Sequence, residues 1–160
     1  MSSMRLTIAL TVLGAFCLLP FASAFAQSDD AYIKYRQKVM QSQGANMGAI
    51  GDILKEKLPL AGNIAEHAAS IHETALLISS AFKHQSAEGM TDAKPDVWKD
   101  SKGFEEKAEA LKKASANLAS VAKGGDMAAI GDAVKAMGKT CGDCHKDYRK
   151  PKEESYKNKK

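Results

Sequence analysis

The chain has 160 residues, of which 44% are hydrophobic and 26% are charged, and its formal net charge is +4. This size and composition predict one globular domain with a buried core. The charge is too small for a surface that binds nucleic acid, so no polyanionic partner is expected.

The N-terminal residues are typical of an export signal. Arg5 precedes an apolar run over residues 6–19, and small residues at 24 and 26 form a cleavage pattern. The run is shorter than the roughly 20 residues that a membrane-spanning helix requires. We predict that residues 1–26 are a signal peptide and that residues 27–160 form the exported domain, soluble in the periplasm.

Helical periodicity predicts four helices in the exported domain. They run from Asp30 to Lys57, from Asn63 to about His84, from Asp100 to Lys123, and from Asp126 through Tyr148. Asn63 and Asp126 favour helix N-caps. The stretch from Gln85 to Asp96 contains Gly89 and Pro95, and it is predicted to be a long crossover loop. The basic tail over residues 146–160 is predicted to be a solvated, frayed terminus.

Each predicted helix carries an apolar stripe. In the fourth helix the stripe has spacings of three and four residues, and it includes both cysteines of the exported domain, Cys141 and Cys144. The pattern predicts an all-α fold, an antiparallel up-and-down four-helix bundle with its cofactor beside the C-terminal helix. Because only 6% of residues are aromatic and many inward positions are alanine, the core looks under-filled without a large apolar cofactor.

The sequence Cys141-Gly142-Asp143-Cys144-His145 matches the CxxCH pattern of covalent haem attachment. In that chemistry the two thiols add to the haem vinyl groups and the imidazole binds the iron. Positions i, i+3 and i+4 share one side of a helix, so Cys141, Cys144 and His145 converge on one flat ligand. We therefore predict one covalently bound haem c with His145 as an axial iron ligand.

Three other interpretations of the cysteine pair are weaker. A structural zinc site normally takes four ligands, and the exported domain has no second pair of cysteines. A thioredoxin-like redox motif needs a strand before its helix, and none is predicted. A disulfide gives no reason for the histidine that follows the second cysteine.

The chain resembles the cytochrome c-prime family, the class II cytochromes c, which are antiparallel four-helix bundles with a C-terminal CxxCH motif. The resemblance lies in Tyr35-Arg36-Gln37, in the loop over residues 92–98, and in the CxxCHxxYR pattern from Cys141 to Arg149. It implies haem contacts from Arg36 and Gln37, the first through a propionate, and a haem-side position for Asp92. Without the resemblance, Arg36 is better explained as a solvated cation on the helix surface. Arg149 is placed to meet the proximal side of the haem or a propionate, or else is an ordinary cation at a helix C-terminus.

The same resemblance assigns Met40 to the side of the iron opposite His145. Some relatives with methionine there hold six-coordinate, low-spin iron and carry electrons, and this chain is most similar to them. Bulky residues that do not bind the iron leave it five-coordinate and open to nitric oxide, and a methionine can also pack without binding it. His67, His72 and His84 are other possible ligands, but ordinary surface or core roles are expected for them.

The leading functional prediction is therefore one-electron transfer in the periplasm through a haem held by His145 and Met40. Binding of nitric oxide at five-coordinate iron is the alternative. Peroxidase-like catalysis needs a distal acid-base pair, and the first helix offers only Met40 and Val39 near the iron, so no enzyme activity is expected. The implied partners are redox proteins, and relatives often form homodimers through their first two helices.

Overall fold

The computed structural model describes residues 28–158, and about three quarters of this part of the chain is helical. Its α-helices are α1 Asp29–Lys55, α2 Asn63–Ala75, α3 Ile78–Ala81, α4 Asp96–Lys99, α5 Ser101–Lys123 and α6 Met127–Tyr148. Two single-turn 3-10 helices follow, Lys152–Glu154 and Tyr156–Asn158. The predicted signal peptide lies outside the described residues. Within residues 28–158, every helix is too short or too polar to cross a membrane.

The four long helices, α1, α2, α5 and α6, form an antiparallel bundle, as predicted. α1 packs mainly on α2, α2 on α5, and α5 on α6. The His72 ring of α2 lies 3.0 Å from the Lys112 carbonyl oxygen of α5, which fixes the level of these two helices. At the other side of α5, Tyr148 near the end of α6 donates a hydrogen bond to Asp100, which caps the start of α5. The long helices therefore alternate in direction. α1 and α6 run antiparallel and border the same face of the bundle.

Two of the predicted helix starts depend on aspartate side chains. Asp126 accepts hydrogen bonds from the backbone N–H groups of Ala128 and Ala129, at 2.9 and 3.3 Å, and this confirms the predicted N-cap of α6. Asp100 caps α5 by accepting from the Gly103 N–H at 3.1 Å. These bonds satisfy backbone donors that have no partner within the helix.

The prediction of one continuous second helix is wrong, because the structure has two helices there, α2 and α3. Asn63 is the first residue of α2 and not its N-cap. The helix is broken at Leu76 and Leu77, where the Leu77 N–H donates to the carbonyl of Thr74, three residues back, instead of four. The tighter turn leaves both leucines exposed while Ile78 stays buried at the start of α3. The predicted crossover loop also ends in a helical turn, α4, which carries Trp98.

The C-terminal tail is solvated as predicted, because most of its residues are exposed, but the predicted fraying is wrong as far as residue 158, the last residue described. The Lys150 N–H donates to the Asp92 carbonyl at 2.7 Å, and the Ser155 hydroxyl donates to the Asp92 carboxylate at 3.0 Å. Ser155 is consequently buried. The segment folds back because Asp92 satisfies its polar groups, and sequence composition does not reveal such a long-range partner.

Candidate functional site

A cavity of about 420 Å³ lies between α1 and α6 and is lined mainly by apolar side chains. It accounts for the under-filled core, because the small inward residues leave this space open. Every predicted site residue lines it: Arg36, Gln37, Met40, Asp92, Cys141, Cys144 and His145. Residues that lie more than 100 positions apart in the sequence therefore form one site.

Cys141 and Cys144 lie next to each other along the cavity wall, and both are half-buried and unpaired. Burial raises the pKa of the Cys141 thiol, and burial together with the neighbouring Cys141 raises the pKa of Cys144 to about 11. Both thiols are therefore protonated at neutral pH, unlike the thiolates of a zinc site. Within residues 28–158, no three His, Cys, Asp or Glu side chains cluster to hold a metal ion on their own.

His145 follows the second cysteine on α6 and also lines the cavity. Loss of water around the ring and the nearby Arg149 cation both lower the pKa of His145. A neutral imidazole is the form that binds a metal ion. The two thiols, the imidazole and the apolar cavity beside them fit a covalently attached haem, with thioether bonds from Cys141 and Cys144 and iron ligation by His145.

Met40 lies on the opposite wall, near the level of His145. The level follows from Met47 and Gly138, since a Cβ atom at Gly138 would lie 3.5 Å from the Met47 methyl carbon. Seven residues back along α1 is Met40, and seven residues forward along the antiparallel α6 is His145. Each step covers about 10 Å at 1.5 Å per residue, and both run in the same direction.

The other histidines lie away from the cavity walls. His67 pairs with Asn46 at 2.8 Å, and His72 lies against the Lys112 carbonyl oxygen. His84 bonds to Asp29 at 2.7 Å and stacks on the Tyr32 ring. These contacts agree with the ordinary structural roles expected for all three.

Arg36 is only 2% exposed, so its interpretation as a solvated cation is wrong. Its guanidinium donates to the Ser86 hydroxyl at 2.8 Å, to the Ser86 carbonyl and to the Thr91 hydroxyl at 2.7 Å. It also lies 5.5 and 5.4 Å from the ring centres of Phe82 and Trp98, within range of a cation–π interaction. Arg36 thus fixes the crossover loop to the cavity rim, and a haem propionate contact remains a prediction.

Two further residues at the cavity rim, Gln37 and Asp92, also take part in contacts of the crossover loop. Gln37 donates to the Met90 carbonyl at 2.7 Å. The Asp92 carboxylate lies 3.4 Å from the Arg149 guanidinium and accepts from the backbone N–H of Tyr156 at 3.0 Å. Asp92 therefore contributes to the cavity chiefly as an anchor for other residues.

Sequence reasoning missed several residues of the cavity. Gln43 lies one helical turn after Met40 on the same side of α1, so helical spacing could have predicted that it lines the cavity. Its amide nitrogen is buried without a hydrogen-bond partner. Lys107, Tyr156 and Lys157 also line the cavity. No local pattern distinguishes these three from surface residues, because they reach the site only through the packing of α5 and the C-terminal segment.

Comparisons with known proteins agree with this site. The family model described as Cytochrome C' matches residues 31–149. A cytochrome c' of Rhodospirillum rubrum is 38% identical over 127 residues, which cover 78% of this chain and 86% of that protein. The solved cytochrome c prime of Shewanella frigidimarina superposes with a TM-score of 0.73 at 30% identity, over 79% of this chain and 99% of its own.

A nitric oxide complex of a cytochrome c prime variant from Alcaligenes xylosoxidans has a TM-score of 0.69 at 27% identity, covering 78% of this chain and 98% of its own. These similarities show the cytochrome c' family and do not support the predicted assignment to the low-spin, methionine-ligated subgroup. Because the family match spans the bundle and includes both the CxxCH cysteines and the cavity, the cofactor is a covalently attached haem c. The chain is a c-type cytochrome that belongs to the cytochrome c' family.

Proposed function

We propose that this protein binds a small diatomic gas, nitric oxide in particular, at a haem iron whose only protein ligand is His145. The observation that carries the proposal is the pair of apolar side chains, Met40 and Met47, on the α1 wall that faces His145 across the cavity. Five-coordinate iron is typical of cytochrome c' proteins, and a solved relative holds nitric oxide in the same fold.

When bound, the haem would supply an iron that His145 holds and that can take a small diatomic ligand. Cys141 and Cys144 fix the haem to α6, so that His145 approaches it in one orientation. Met40 and Met47 place apolar side chains on the α1 side, next to the polar Gln43, and this suits an uncharged diatomic ligand better than an anion. The hydrogen bonds of Arg36 to the crossover loop hold α1 in place and preserve the space above the haem.

Electron transfer through six-coordinate iron is the second candidate, and it is favoured by the position of Met40. The thioether of this residue lies on the wall opposite His145, near the same level, and is the nearest sulfur ligand that α1 offers. Ligation by Met40 would favour the reduced iron and raise the reduction potential. The two functions therefore differ in whether the iron would take the Met40 sulfur or a gas molecule as its further ligand.

Optical spectra of the oxidised and reduced full-length protein, with a carbon monoxide titration, separate the two candidates. For gas binding we expect high-spin spectra, ready uptake of carbon monoxide, and the same spin state in Met40→Leu. The exposed Met127, which lies outside the cavity, provides the control Met127→Leu. A low-spin wild type that takes up carbon monoxide only after Met40→Leu would refute gas binding and establish Met40 as a ligand.

We further propose that the mature protein is periplasmic, has no enzyme activity and forms a homodimer through α1 and α2. Tyr35, Leu76 and Leu77 support the dimer, because they are 41–48% exposed and lie at the same end of this helix pair. N-terminal sequencing of the exported protein tests cleavage after residue 26. Sedimentation of wild type and Leu77→Glu tests the dimer, which the charged residue should dissociate.

A further inference from the structure

Residues 150–158 lie beyond the part of the chain that matches the cytochrome c' family model, which ends at residue 149. They leave the end of α6, turn twice in 3-10 conformation and return to the loop at Asp92. The chain therefore adds a structured segment next to the haem cavity, and we call residues 150–158 the C-terminal strap.

Asp92 anchors the strap. Its side chain is only 11% exposed, and its carboxylate accepts from the Ser155 hydroxyl and the Tyr156 N–H, both at 3.0 Å. Burial opposes ionisation of Asp92, but the hydrogen bonds from Tyr156, Ser155 and Arg149 outweigh it and lower its pKa. Asp92 is therefore ionised at neutral pH, and each of these bonds is charge-assisted.

The backbone on either side of Asp92 completes the attachment. The carbonyl of Asp92 accepts from the Lys150 N–H at 2.7 Å, and the Thr91 carbonyl accepts from the Lys150 ammonium at 3.1 Å. Thr91 also accepts a hydrogen bond from Arg36 of α1. One short piece of loop thus joins α1 to the strap across the mouth of the cavity.

Tyr156 and Lys157, at the end of the strap, line the cavity together with Arg149, which lies one turn beyond His145. Tyr156 supplies an aromatic ring and Lys157 a cation at the rim. These are the groups that suit the apolar edge of a haem and its propionate carboxylates, respectively.

We propose that the C-terminal strap is an additional part of the haem site, which closes the mouth of the cavity beside α6 and contacts the haem through Tyr156 and Lys157. Asp92 is its positioning residue, since it acts through Ser155 and Tyr156. The strap limits the access of water to the haem edge, and its cation stabilises the reduced, less positively charged state. The proposal does not depend on which ligand takes the second axial position of the iron.

The test uses the haem-loaded protein and three readouts that require no activity: the reduction potential, the circular dichroism of the Soret band, and hydrogen exchange of the Tyr156 amide. One variant ends at Lys150, one residue past the end of the family match, and so lacks nearly the whole strap. Tyr156→Ala, Lys157→Gln and Asp92→Asn leave the chain full-length and test the same contacts if the shortened protein does not fold. Glu153→Gln, an exposed change within the strap, is the matched control.

We expect the truncation and Tyr156→Ala to lower the potential and to change the Soret dichroism, while Glu153→Gln leaves both unchanged. Lys157→Gln should lower the potential alone, and Asp92→Asn should speed exchange of the Tyr156 amide at least tenfold. Fast exchange of this amide in the wild type would refute an ordered strap. A protected strap whose removal changes neither the potential nor the dichroism would refute its contact with the haem.

Discussion

The Tyr148 hydroxyl donates a 2.7 Å hydrogen bond to the carboxylate of Asp100, and this bond ties the end of α6 to the start of α5. Asp100 also caps α5, so one carboxylate serves two helix ends. The bond from Tyr148 and that from the Gly103 N–H lower the pKa of Asp100, and burial and the same carboxylate raise the pKa of Tyr148.

We expect Tyr148→Phe to lower the melting temperature modestly and to weaken its dependence on acid pH. A depressed carboxyl pKa contributes stability above the unfolded value, near 3.9, and this contribution is lost as the pH falls through the folded value. The measurement is thermal unfolding between pH 2 and 7 for both proteins. Equal differences at every pH would show that the tyrosine acts only by packing against Phe104, its edge-to-face neighbour.

Two glycine substitutions should have opposite signs. A Cβ atom at Gly103 would lie 2.5 Å from the Tyr148 hydroxyl and closer still to the Asp100 carboxylate, so Gly103→Ala should destabilise the protein by separating α5 from α6. Gly131, within α6, has open space around the same position, and Gly131→Ala should stabilise by about 1 kcal/mol. Denaturant unfolding of both variants measures the change in the free energy of unfolding. If Gly103→Ala stabilises the protein, the side chains of Asp100 and Tyr148 move aside without cost.

Removal of the Arg36 guanidinium should destabilise the protein by about 3 kcal/mol, because Arg36→Ala leaves buried oxygens of Ser86 and Thr91 without their donor. The exposed Lys34 on the same helix gives the control Lys34→Ala, for which we expect a change below about 0.5 kcal/mol. Urea unfolding followed by far-UV dichroism measures both. Similar small losses in the two variants would contradict the structural role of Arg36.

The buried amide of Gln43 predicts a stabilising substitution. Gln43→Met keeps the length of the side chain and removes a buried nitrogen that has no partner, so we expect a gain of about 1 kcal/mol. The exposed Gln85, which does not line the cavity, allows Gln85→Met as a control with little effect. If Gln43→Met instead lowers the melting temperature of the haem protein and shifts its spectrum, the amide bonds to the haem or to a ligand on it.

Loss of both thioether bonds should remove most of the stability of the bundle. In Cys141→Ala with Cys144→Ala, haem is no longer retained, and the apolar cavity between α1 and α6 opens to water. We expect a non-cooperative melt and exposed apolar surface, measured by calorimetry and dye binding. A compact, cooperatively melting protein without haem would contradict a structural role for the cofactor.

Local signals were sufficient for the bundle and for the centre of the site. The spacing of the apolar residues in α6, the cap at Asp126 and the CxxCH motif all act within a few residues, so the sequence carries them directly. The resemblance to a known family extended the prediction to Arg36, Gln37, Met40 and Asp92, and all four line the cavity.

Long-range partners account for what sequence reasoning missed. The break at Leu76 and Leu77 leaves both leucines exposed and Ile78 buried, and continuous helical periodicity conceals it. The fold-back of Ser155 and Tyr156 depends on a carboxylate more than 60 positions away. Serine, lysine and glutamate are common in frayed ends, so only the tertiary contact distinguishes an anchored tail from a free one.

The Met47 methyl group lies against Gly138 of α6, and Met47 lines the cavity. Because residue 138 has no side chain, Met47 reaches α6 there, three residues before Cys141. A residue larger than alanine at 138 would meet this methyl group first, and Met47 would have to move. The position of Met47 in the cavity wall thus depends on a side chain that α6 lacks.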